Sequence, residues 1–177
     1  MEKTKKISGF TVLEMLIVTF IIGVMSTVLI VNWRKNEKTY LVRRTAQEMA
    51  QNIRKAQGLA LTGKKISGQI VPVSYGVFFN KYINNAYKIY GDKNNDKKYQ
   101  DSDILVEEIK LDSQVQIDSL SSGQRDLNIV FSIPDGFTRF DPLDVSATIV
   151  IKKVGVTCPS TSCRTITVRD TGQISVY

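Results

Sequence analysis

Histidine is absent from these 177 residues, and cysteine occurs only twice, at Cys158 and Cys163. The first absence removes the commonest zinc ligand and the commonest general acid–base. Proline is scarce too, at four. No internal repeat, low-complexity tract or linker breaks the chain. No phosphate-binding loop, nucleophile elbow, dinucleotide fingerprint or zinc-protease helix is present, and no pair of carboxylates is singled out by position. This inventory gives no enzyme and no catalytic residue. Disorder is excluded as well, because 42% of residues are hydrophobic and only 23% charged.

The apolar content is unevenly spread. Residues 1–9 are short, polar and basic, with Lys3, Lys5 and Lys6 against Glu2. Phe10 to Val31 then form a run of 22 residues with one ionisable group, Glu14. At about 1.5 Å per residue a helix of that length spans a hydrocarbon core of roughly 30 Å. The leader lysines would hold the N-terminus in the cytoplasm, although Arg34 and Lys35 after the span weaken that asymmetry. A conventional secretory signal fits poorly. Its apolar core is shorter and ends in small residues, whereas this run leads into Asn32-Trp33-Arg34-Lys35. The cleavage point falls before the run, at Gly9.

Glu14 is the informative residue of the run. A carboxylate there costs a few kcal/mol on insertion scales and calls for a partner. Cleavage at Gly9 would supply one, the α-amino group of Phe10 on a neighbouring subunit. Glu14 would then set the register between helices. The other reading is that Glu14 snorkels to water at the interface.

Ser8-Gly9-Phe10-Thr11-Val12-Leu13-Glu14 resembles the prepilin peptidase site of type IV pilins and type II secretion pseudopilins. The resemblance implies removal of a leader ending in Gly9, N-methylation of Phe10 and a role for Glu14 in assembly. Many major pilins carry a proline late in this helix; here the stretch reads Ser26-Thr-Val-Leu-Ile-Val31, unlike an abundant structural pilin.

Asn32 to Thr62 is helix-friendly, with Leu41, Thr45, Met49, Ile53, Ala56 and Ala60 at three- and four-residue spacing and Gly63 as a stop. Beyond it the texture predicts strands at 69–80, 86–91, 104–111, 127–133, 146–152, 164–169 and 173–177, separated by turns such as Pro134-Asp-Gly136. The fold class is therefore α+β: a long N-terminal helix, half membrane and half amphipathic, packed on a C-terminal antiparallel sheet domain. The divisions are 1–9 leader, 10–31 membrane and assembly helix, 32–62 amphipathic continuation and 63–177 β-rich domain. The β region, from Tyr75-Gly-Val-Phe78 to Gly172-Gln-Ile-Ser-Val176, is similar to the H-type minor pseudopilins and related minor pilins.

Two local constellations remain. Asp92, Asn94, Asp96, Gln100 and Asp103 occupy positions 1, 3, 5, 9 and 12 of a calcium-loop spacing, with Lys97 where the turn glycine should stand. The alternative is a polar hairpin loop. Cys158 and Cys163, with four residues between, suit a local disulfide in an oxidising compartment, or else two free thiols.

The expectation is a minor pilin or pseudopilin in the cytoplasmic (inner) membrane, N-terminus inside, with its globular domain exported to the periplasm or cell surface. Its partners would be a prepilin peptidase, other pilins or pseudopilins and the inner-membrane assembly platform. One rival is a nucleic-acid receptor on a DNA-uptake pilus, which the net charge of +7 permits, but the basic residues are scattered and no basic–aromatic stripe runs through them. The other is a monomeric membrane-anchored domain.

Overall fold

The computed structural model describes residues 9–66, 71–142 and 145–177, without the side chains of 28–38 and 122. Most of the basic leader and residues 69–70 of the strand expected over 69–80 therefore lie outside the described residues; residues 71–73 are described and the strand begins only at Ser74. The chain divides into two compact units, Met1–Glu37 and Lys38–Tyr177.

A helix, α1, runs Val12–Thr62. Its part within the first unit is apolar on every side: from Phe10 to Met25 the large hydrophobic side chains are all exposed. Among the described residues, no helix is long and apolar enough to cross a membrane. The span expected over 10–31 continues into residues 28–31, whose side chains lie outside the described ones.

In the second unit α1 is amphipathic, and its buried face follows the expected periodicity, except that Leu41 is only half-buried against the core. Thr45, Met49, Ile53, Ala56 and Ala60 are buried, joined by Val42, Ala46 and Ala50. The helix ends on Gly63, whose φ of +56° suits a residue without Cβ. Its N–H donates to Ala60 O at 3.1 Å and Lys64 N–H to Leu59 O at 3.2 Å, so two orphan carbonyls are satisfied as the chain turns away.

Nine strands follow: β1 (Ser74–Asn80), β2 (Ala86–Asp92), β3 (Ile104–Lys110), β4 (Val115–Leu120), β5 (Asp126–Ser132), β6 (Thr138–Asp141), β7 (Ser146–Lys153), β8 (Cys163–Arg169) and β9 (Ile174–Val176). They build two antiparallel sheets, ordered β3-β2-β1-β5-β6 and β4-β7-β8-β9. The expected single sheet is thus corrected to two, and β4 and β6 are additional strands. A register shift between Ile117 and Ser119 breaks the alternation of β4. β6 has four residues, too few to show a period.

One core joins everything in this unit. The buried face of α1 packs with Tyr75, Val77, Phe79, Ile89, Ile129 and Phe131 of the first sheet and Ile117, Ile149, Ile151, Ile166 and Val168 of the second. At roughly 1.5–3 kcal/mol for each large apolar side chain removed from water, this cluster dominates the stability of the unit.

Candidate assembly segment

Thr11 stands at the head of α1, and its Oγ1 accepts a hydrogen bond from Glu14 N–H at 3.2 Å. Thr11 is therefore the N-cap and Glu14 the third helical residue, the spacing of a capping box. The Thr-x-x-Glu spacing is legible in the sequence, but the burial cost of Glu14 points away from it, toward an intermolecular or snorkelling charge. The cap gives Glu14 a second, local reason to sit near the helix start, where a negative charge also meets the positive end of the helix dipole.

The other polar side chains of the apolar stretch are satisfied within it. Thr19 Oγ1 donates to Met15 O at 3.0 Å, Ser26 Oγ to Ile22 O at 2.7 Å and Thr27 Oγ1 to Val24 O at 2.7 Å. These hydroxyls need neither water nor a neighbour. Among the described residues, the Glu14 carboxylate has no hydrogen-bond or ion-pair partner. A Cβ built on Gly9 or on Gly23 meets nothing within 4 Å, so no packing inside the described chain requires glycine at either place.

The residues considered for calcium come together, but as a strap. Asp92 is fully buried. Its Oδ1 accepts the N–H groups of Asn94 at 3.0 Å and Asn95 at 2.7 Å; its Oδ2 accepts Lys97 N–H and the Ser74 hydroxyl, each at 3.1 Å. Asp103 accepts the N–H groups of Lys93 at 3.3 Å and Gln100 at 2.9 Å. Asp96 accepts Lys98 N–H at 2.9 Å and the amides of Asn94 and Gln100. The loop's own donors, with the Ser74 hydroxyl, fill the four acceptor sites of Asp92 but only two of those on Asp103. Among the described residues, no group of three or more acidic, histidine or cysteine side chains is set to hold a metal ion. Lys97 nevertheless takes the left-handed backbone, with φ of 65°, where a calcium loop has glycine.

Tyr99 carries this loop across the outer face of the first sheet. Its ring stacks on Phe78 at 5.1 Å and meets Tyr90 edge-on at 5.3 Å, with Lys88 Nζ 4.7 Å from its centroid. Tyr99 N–H donates to Asn128 Oδ1 at 3.0 Å, and Lys98 reaches Asp141 at 3.6 Å. The strap thus follows one cross-strand row, Lys88–Phe78–Asn128–Asp141, from β2 to β6. Gly76 makes it fit: a Cβ there would lie 2.5 Å from the ring of Tyr90. Burial, with the neighbouring Asp92 charge, pushes the Tyr90 hydroxyl well above the usual tyrosine range. Burial likewise raises Tyr87 to about 12, against the opposing hydrogen bond from Asn52.

Cys158, in the loop after β7, and Cys163, the first residue of β8, are joined as a disulfide. By the chain-entropy model so short a ring is worth about 2 kcal/mol.

No protein-family model matches the chain, and no curated protein does. A solved structure similar to it is that of the minor pseudopilin EpsH from the Type 2 Secretion System of Vibrio cholerae. The identity is 15% and the TM-score 0.49, over 77% of this chain and 96% of that one. A likeness of that size transfers no function from one protein to the other.

Proposed function

We propose that this chain is a minor pilin or pseudopilin subunit of a type IV pilus or type II secretion pseudopilus, processed by a prepilin peptidase and assembled through α1. The observation that carries the reading is one ordered series: leader lysines, Gly9, Phe10, Glu14, then an apolar helix. One structural fact supports it: the helix from Phe10 to Met25 exposes apolar side chains all round, as suits a lipid or helix-bundle environment.

In this mechanism cleavage between Gly9 and Phe10 exposes a new α-amino group, which is methylated. Glu14 of one subunit pairs with that amine on the next, and the pairing fixes the stagger of adjacent helices as they leave the membrane. The paired charge offsets its burial only in a fixed geometry, so the contact specifies register more than it adds stability. The β domain faces outward and selects its neighbours.

Intact mass of the protein from its native membrane is the direct test. A species beginning at Phe10 with one added methyl is expected. A full-length species, or one cut after the apolar run, would overturn the reading. Gly9→Leu should abolish processing; Glu14→Ala should be processed but lost from filaments.

A further inference from the structure

Strand β3 has a neighbour on one side only, because it ends the five-stranded sheet. Leu111 N–H donates to Asn85 O at 2.7 Å, and the register continues with Ala86↔Lys110, Tyr87↔Ile109, Lys88↔Glu108 and Ile89↔Glu107. Hydrogen-bonded and non-hydrogen-bonded pairs alternate along an antiparallel ladder. Ile109 and Glu107 therefore turn their N–H and C=O groups to β2, while Glu108 and Lys110 turn theirs outward. Among the described residues, those four outward groups have no hydrogen-bond partner. They repeat every second residue, as the groups of a further extended strand do.

Four strands stand at sheet ends, and β3 is the most open of them. It has seven residues, against four in β6 and three in β9. β4 has six, but Ile117 N–H is already bonded to Asn84 O at 2.8 Å. A cleft of about 300 Å³ lies between α1 and the end of β3. Leu41, Ile109 and Leu111 give it apolar walls, each still partly exposed. The charges around it are largely matched. Arg44 pairs with Glu48 at 2.8 Å and Lys55 with Glu107 at 2.5 Å, and Asp112 accepts Gln114 N–H at 2.9 Å. On the edge itself Glu108 and Lys110 are exposed and, among the described residues, have no ion-pair partner. Lys88, across from Glu108, is turned to the Tyr99 ring.

We propose that β3 accepts an antiparallel strand from a partner protein, an extended segment that reads anion, apolar residue, cation. The free main-chain groups select an extended backbone. The register selects the order. Antiparallel pairing sets the anion against Lys110 and the cation against Glu108 on one face, and turns the middle residue to the other face, toward the cleft. Opposite charges across a strand pair attract and like charges repel, so the same edge admits a matching segment and turns others away. The cleft holds side chains but is too small for a second helix, which suits a segment with no packed layer of its own. Every group involved belongs to the Lys38–Tyr177 unit.

The test uses the full chain in detergent micelles and two end-blocked probe peptides, Val-Glu-Ile-Lys-Val and Val-Lys-Ile-Lys-Val, with amide hydrogen exchange as the readout. Millimolar Val-Glu-Ile-Lys-Val should slow exchange at Glu108 and Lys110 and leave Glu107 and Ile109, already bonded to β2, unchanged. Lys110→Glu should weaken that peptide about tenfold and make Val-Lys-Ile-Lys-Val the tighter of the two. Unchanged exchange at 108 and 110 would overturn the proposal. Binding that ignores both the peptide's charge order and the Lys110→Glu change would overturn it too. Protection at 108 and 110 without peptide, in a chain that sediments as a dimer, would give the edge to a second copy and overturn it as well.

Discussion

The two sheets share one core, yet they are finished differently. The five-stranded sheet is covered twice, by α1 on its inner face and by the Tyr99 strap on its outer face. The four-stranded sheet is covered once. Its outer face carries Thr148, Thr167 and Ser175 in one cross-strand row and Val150 beside Thr165 in the next. Short β-branched and hydroxyl side chains keep a strand extended and tolerate water, so such a face needs no cover. A face built from Phe78 and Tyr90 cannot be left wet, and an eleven-residue loop is spent covering it. The sheet that needs a strap contains the buried carboxylate that shapes the strap.

That contrast can be broken most severely at Asp92. Asp92→Ala leaves three N–H groups and the Ser74 hydroxyl without their acceptor, and a loss of about 3 kcal/mol in urea unfolding is expected. Tyr99→Ala comes next. It strips the stack from Phe78 and Tyr90 while keeping the loop's internal hydrogen bonds, for a loss of about 2 kcal/mol. If both variants unfold at the wild-type midpoint, the outer cover is decorative.

The same contrast sharpens with pH. Burial raises Tyr87 to about 12 and pushes Tyr90 up in the same direction. Their neutral forms therefore contribute stability that is fully present below the ordinary tyrosine value of 10 and is lost as pH rises through about 12. Alkaline titration followed by tyrosine absorbance and near-ultraviolet circular dichroism should show the first sheet loosening within that window, and Tyr87→Phe should shift the transition upward. The smallest effect is expected on the open sheet, where Thr167→Ala should change stability by less than about 0.5 kcal/mol. A larger loss would mean that this face has a cover of its own.

Much of this was readable beforehand because it is periodic or local. The buried stripe from Thr45 to Ala60, the stop at Gly63 and the Cys158–Cys163 pairing each depend on residues a few positions apart. The strap did not declare itself. Asp92 to Asp103 has a ligand-like spacing, but the same oxygens serve N–H donors equally well, and spacing cannot tell the two apart. Tyr99 finds Asn128 across 29 residues, a contact that no local pattern encodes. β4 was hidden by its register shift and β6 by its brevity. At the candidate site Thr11 and Glu14 stand in plain capping order, a local signal, whereas a pairing of Glu14 with a second chain has no counterpart in one sequence.

The strap also decides where this protein can be cut. Lys93, Lys97 and Lys98 offer trypsin three sites within one surface loop, ordinarily the first place a fold is nicked. A protease needs several residues drawn out straight. Here Lys97 is wound into a left-handed turn, and Lys98 is pinned between Asp96 and the anchored Tyr99. Cleavage must wait for the loop to lift from the sheet, so its rate becomes a clock for that opening. Tyr99→Ala should start the clock early, and the unit would be clipped at this loop while the rest of its core is still folded.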